Sequence, residues 1–68
     1  MKFYFSFGQD HVHGFDGKVF NKDCIVEITA VDSDMAREIM FDNFGRRWSN
    51  EYDELPDMTF FPRGIIKL

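Results

Sequence analysis

The chain is poor in the devices small proteins use to hold themselves together. Its 68 residues include one cysteine, two prolines and only two leucines, Leu55 and Leu68. A single thiol, Cys24, excludes an internal disulfide and fits a reducing compartment. Basic residues are scarce as well. Eight Lys and Arg against twelve Asp and Glu leave a formal charge of −4, so general nucleic-acid binding, which needs a cationic surface, is not expected. No apolar run approaches the roughly 20 residues needed to cross a bilayer, and no membrane association is expected. The first residues alternate like a strand and lack the basic and apolar regions of a secretory signal. The expectation is a cytoplasmic chain. Catalytic signatures are missing too: no Gly-rich phosphate loop, no Ser-His-Asp order and no paired buried carboxylates stand out. The expectation is therefore a protein that is not an enzyme.

What the chain has instead is aromatic carbon. Nine Phe, two Tyr and one Trp occupy it. Phe takes the place of Leu as the core residue. The count exceeds what one helix on one sheet easily hides, so an aromatic surface that binds a partner or forms a homodimer is expected. A chain of this size buries only roughly 60% of its unfolded surface, which also favours a partner or a metal.

Residues 1 to 30 read as a long β-hairpin. Phe3, Phe5 and Phe7 alternate with Lys2, Tyr4 and Ser6, the period of a strand with one buried face. Asp16-Gly17 suits a tight turn with positive φ. A two-residue turn there pairs Phe15 with Lys18. Carried along the strands, that register sets Phe7 opposite Val26, Phe5 opposite Ile28 and Phe3 opposite Ala30, all on one face. Gly8 marks a bulge or a close backbone approach, and Asn21 the same on the partner strand. Tyr4, Val12, Val19 and Ile25 fall on the other face, which the helix leaves uncovered.

Val31 to Gly45 predicts the helix. Asp32 or Ser33 caps it, Asp34 suits its positive end, and Gly45 ends it as a left-handed residue. Ala36, Ile39, Met40 and Phe44 follow the helical spacing toward the sheet, while Arg37, Glu38, Asp42 and Asn43 face water. Residues 47 to 52 predict a third strand with Trp48 and Tyr52 on one face. Met58 to Phe61 predicts a fourth, short strand or extended edge, and residues 65 to 68 pack back on the sheet. The fold class expected is α+β: one domain, a small antiparallel sheet in the order β-β-α-β-β, with one helix packed on one face. A right-handed crossover places the third strand beside the first and antiparallel to it.

Taken together, FYFSFGQDHVH, AREIMFDNFGRRW and PDMTFFPRGIIKL resemble a family of short phage-encoded proteins. The resemblance covers nearly the whole chain. It implies a phage accessory protein in the host cytoplasm and brings no catalytic residue, ligand or reaction. Small phage proteins of this size include factors that neutralise host defences by binding a host protein or sequestering a nucleotide signal. That context sets the expectation of a counter-defence or host-regulation factor.

Three groups of side chains carry candidate chemistry. Arg46, Arg47, Trp48, Tyr52 and Arg63 suit a host protein or a small anionic, nucleotide-like ligand. Guanidinium forks match phosphate, aromatic rings stack on bases, and both types dominate protein hot spots. The ordinary alternative is that Arg46 and Arg47 complement the helix dipole and Arg63 is a solvated turn residue. His11, His13 and Cys24 offer two imidazoles and a thiol to zinc, as a small zinc-binding protein or a metal-dependent enzyme; no fourth ligand is evident. The ordinary alternative is a pair of histidines that hydrogen-bond or stack at the open end of the sheet. Glu51, Asp53, Glu54 and Asp57 form an acidic loop that either imitates nucleic-acid phosphates or is simply solvated.

Overall fold

The computed structural model describes residues 1–15 and 17–68, with Phe15 described by its backbone. In chain order the elements are strands β1 (Lys2–Ser6), β2 (His13–Phe15), β3 (Lys18–Phe20) and β4 (Cys24–Thr29), helix α1 (Ser33–Phe44), strand β5 (Asn50–Tyr52), a 3-10 turn (Met58–Phe60) and strand β6 (Gly64–Lys67). The fold is α+β. A four-stranded sheet runs in the order β5-β1-β4-β6, and β2 and β3 form a separate two-stranded ribbon.

The hairpin is present but broken. At its tip Phe15 pairs with Lys18 and His13 with Phe20, the register expected. Asp16 lies outside the described residues. At its base Phe5 pairs with Val26 and Phe3 with Ile28, not with Ile28 and Ala30. Between these two zones the first arm carries two residues more than the second. The slip is even, so no side chain changes face. Phe3, Phe5, Phe7, Val26, Ile28 and Ala30 all enter one buried cluster with Ala36, Met40 and Phe44 of the helix. Gly8, at φ +70°, begins the irregular stretch; a Cβ there would lie 3.1 Å from the Ser49 Cβ. On the second arm the Asn21 side chain accepts from the Asp23 N–H at 2.9 Å and its carbonyl accepts from the Cys24 N–H at 3.2 Å. Both are local turn bonds that compete with a continuous ladder.

Helix α1 forms where the apolar stripe predicts it. The Asp32 carboxylate accepts from the Met35 N–H at 2.9 Å, satisfying one of the free donors of the first turn. Gly45, at φ +62°, ends the helix and donates its N–H to the Phe41 carbonyl at 2.9 Å. Ala36, Met40 and Phe44 are buried against the sheet, and Ile39 packs beside them. Strand β5 lies beside β1 and antiparallel to it, as the crossover argument requires, though it is shorter than expected.

The C-terminal third departs from expectation. Met58–Phe60 is a 3-10 turn rather than a strand. Asp57 causes it: its Oδ1 accepts from both the backbone N–H and the hydroxyl of Thr59, at 3.0 and 2.8 Å, and those local bonds override the strand preference of Thr and Phe. The fourth sheet strand is β6, which runs parallel to β4, so the sheet is mixed. Strands β5 and β6 occupy opposite edges, and residues 53–63 connect them. Because β5 and β6 point the same way as β4, a right-handed return path runs over the face opposite α1. Burial agrees with that path. Ile25, expected on an uncovered face, is 0% exposed, and Ser6 on the same face is buried. Glu27 is buried there too, with Lys2 Nζ at 3.8 Å and Lys67 Nζ at 4.0 Å. Among the described residues no helix is long and apolar enough to cross a membrane.

Candidate functional site

The end of α1 builds a surface cleft. Gly45 reverses the chain, and the Arg47 N–H donates back to the Phe44 carbonyl at 3.2 Å. The next residue, Trp48, turns inward. Its indole N–H donates to the Gly45 carbonyl at 3.1 Å, using a carbonyl that the helix leaves unpaired. Ser49 then donates its N–H to the Ser6 carbonyl at 2.8 Å, docking the segment on β1. Trp48 is held on two sides: its ring stands edge-on to Phe5, centroids 5.1 Å apart, and 5.4 Å from Phe41 on the helix. Phe41, Gly45, Arg46, Trp48 and Ser49 line an open cleft of about 700 Å³. Phe41 is 48% exposed despite its size.

Only part of the expected Arg–Trp–Tyr group meets there. Arg46 and Trp48 line the cleft. Arg47 is exposed beside it, and its carbonyl accepts from His13 Nε2 at 2.8 Å. Tyr52 does not share a face with Trp48. It pairs with Tyr4, on the face opposite Phe5, whereas Trp48 packs on Phe5. The alternation fails because Trp48 precedes β5 and its backbone is not extended strand. Arg63 belongs to a second cleft, of about 490 Å³, with Gly17, Lys18, Val19, Ile65, Ile66 and Lys67. Its backbone N–H donates to the Asp23 carbonyl at 2.8 Å.

Phe41 is the cleft residue that sequence reasoning missed. It lies off the buried stripe of α1, and a large aromatic at a water-facing helix position is the signal that finds it.

His11, His13 and Cys24 are not gathered. Among the described residues no group of three His, Cys, Asp or Glu side chains is placed to hold a metal ion. His13 packs its ring on Phe7 and Phe44, at 5.6 and 5.1 Å, and donates from Nε2 to a carbonyl. Cys24 sits in the core opposite Gly64, its thiol donating to the Asn21 carbonyl at 3.4 Å. Burial pushes that thiol up from its ordinary value, against the opposing pull of the Asn21 bond and the Arg63 charge. The acidic loop is partly engaged. Glu51 accepts from Arg37 Nε at 2.6 Å, and Asp57 caps the 3-10 turn, while Asp53 and Glu54 stay exposed.

No family model, curated protein or solved structure matches the chain.

Proposed function

We propose that this is a non-enzymatic binding protein that engages a partner protein through the cleft at the end of α1. Phe41, Arg46 and Trp48 are the anchors. The observation that carries the reading is the exposure of Phe41 beside a Trp48 fixed by the Gly45 carbonyl and the Phe5 ring. Aromatic rings already held in place lose little freedom on binding, and Trp and Arg are the residue types that dominate interface energetics. A nucleotide-like anion is the weaker fit. The cleft lies where the helix carbonyls carry partial negative charge, and one arginine lines it.

The phage-like sequence pattern supports placing the protein among phage accessory factors of the host cytoplasm, acting on a host defence or regulatory protein. Self-association belongs to the same reading. Phe60 and Leu55 are 73% and 51% exposed in the connection that leads to β6. Sedimentation equilibrium at micromolar concentration tests it: a mass above the 8.1 kDa of one chain supports a homodimer, and a clean monomer mass removes it.

The partner reading is tested by affinity capture from the cells in which the protein acts, comparing the native chain with a Phe41→Ala, Arg46→Glu variant. A stoichiometric protein lost with the variant supports the reading. A small molecule released on denaturing the captured protein, with no protein partner, replaces it with the nucleotide reading.

A further inference from the structure

The second cleft, lined by Gly17, Lys18, Val19, Arg63, Ile65, Ile66 and Lys67, is separate in lining from the helix-end cleft. The start of β3 and most of β6 form it, with Gly17 and Arg63 just ahead of each strand. Successive side chains of a strand point to opposite faces, so a cleft that touches Ile65, Ile66 and Lys67 together runs along the edge of β6, not across one face. The same holds for Lys18 and Val19, the first two residues of β3, with Gly17 of the turn beside them. Strand β6 ends the four-stranded sheet and pairs only with β4; β3 pairs only with β2 among the described strands. The cleft therefore separates two strand edges, each with a backbone side that no described strand occupies. Such edges are templates for strand addition.

Its charge runs against that of the molecule. Three of the eight basic residues, Lys18, Arg63 and Lys67, line it, and among the described residues no acidic one does, although the chain carries −4. Lys67 leans toward Glu27 at 4.0 Å; among the described residues Lys18 and Arg63 form no ion pair. Val19, Ile65 and Ile66 supply apolar wall between the cations, with Val19 and Ile65 well exposed. We infer that this groove binds an extended acidic peptide segment of a partner protein, which adds as a strand between β3 and β6 and sets its carboxylates against Lys18, Arg63 and Lys67. Backbone pairing supplies the common part of the affinity, and the cationic rim selects acidic side chains over basic ones.

The probe is a blocked hexapeptide alternating glutamate and valine, titrated into the ¹⁵N-labelled full chain. Three comparisons accompany it: a lysine–valine hexapeptide, the glutamate–valine peptide N-methylated on alternate residues, and a short DNA duplex. The inference expects amide shifts confined to residues 17–20 and 63–68. It expects at least tenfold weaker binding of the lysine peptide and of the N-methylated peptide. The double charge reversal Lys18→Glu, Arg63→Glu lowers affinity at least tenfold while the spectrum stays folded; if that variant unfolds, Lys18→Glu alone is read in its place and lowers affinity at least threefold. Equal binding of the N-methylated peptide overturns strand addition. Equal binding of the lysine peptide, shifts elsewhere in the chain, binding of the duplex in preference to the peptide, or no shift at millimolar peptide overturns the site.

Discussion

The Trp48 ring meets Phe5 edge-on, at an interplanar angle of 84°, while its N–H closes on the Gly45 carbonyl. One side chain thus ties the helix terminus, the central strand β1 and the segment leading to β5. Removing it should therefore cost more than its partial burial suggests. Trp48→Ala is expected to destabilise the fold by about 2–3 kcal/mol, somewhat below the roughly 3–5 kcal/mol of a fully buried aromatic. Trp48→Phe keeps the ring contact and loses the hydrogen bond, for about 1 kcal/mol. Urea unfolding of the three proteins checks the order; equal losses for Phe and Ala would show that the ring contact contributes nothing.

Gly8 makes the second tie between the hairpin and the segment after the helix. Its φ of +70° disfavours any Cβ, and one placed there would lie 3.1 Å from the Ser49 Cβ, so that side chain would have to give way slightly. Gly8→Ala is expected to cost about 1–2 kcal/mol for the left-handed backbone alone, plus a steric share. Ser49→Gly in the same chain relieves only the steric share. A double-mutant cycle should give a coupling of about 1 kcal/mol; zero coupling would mean that the Ser49 side chain does not crowd position 8 in solution.

Cys24 gives the alkaline behaviour. Burial favours its neutral thiol, so the folded state holds the proton more tightly than the unfolded chain. The sign follows. This contribution is complete below the ordinary thiol value of 9.0 and is lost as pH rises through the folded value. Iodoacetamide at pH 8 should leave the native protein unmodified and label it only at the rate of opening. The unfolding midpoint of the native chain should fall more between pH 9 and 10.5 than that of Cys24→Ala. Rapid labelling of the native protein would contradict the buried position.

The parts of this architecture that were legible in the sequence are those set by short-range periodicity. Phe3, Phe5 and Phe7 declared a buried face, and Asp32 and Gly45 marked the two ends of the helix. Both depend on residues a few positions apart. The slip of two between Phe5 and Val26 was not legible, because an even slip leaves the apolar pattern unchanged and only the local bonds of Asn21 and the Gly8–Ser49 approach fix it. The 3-10 turn at Met58 was hidden because Thr59 and Phe60 favour strands, and a single Asp57 side chain reversed that preference. The site divided for a related reason. Alternation through residues 48 to 52 put Trp48 beside Tyr52, but strand backbone begins only at Asn50, which left Trp48 free to turn onto Phe5. The cleft between β3 and β6 joins residues far apart in the chain, and no spacing announces it.

The central claim is that Phe41, Arg46 and Trp48 form the surface through which the protein acts. The most direct measurement is quantitative capture with the native chain and with Phe41→Ala, Arg46→Glu, both confirmed folded by their amide spectra. Arg46 is exposed and Phe41 is half-covered by Trp48, so the unfolding midpoint of the variant is expected to fall modestly while its spectrum stays folded. The account predicts one protein held in a fixed ratio by the native chain and reduced at least tenfold by the variant. The same protein retained at full ratio by the variant would contradict it.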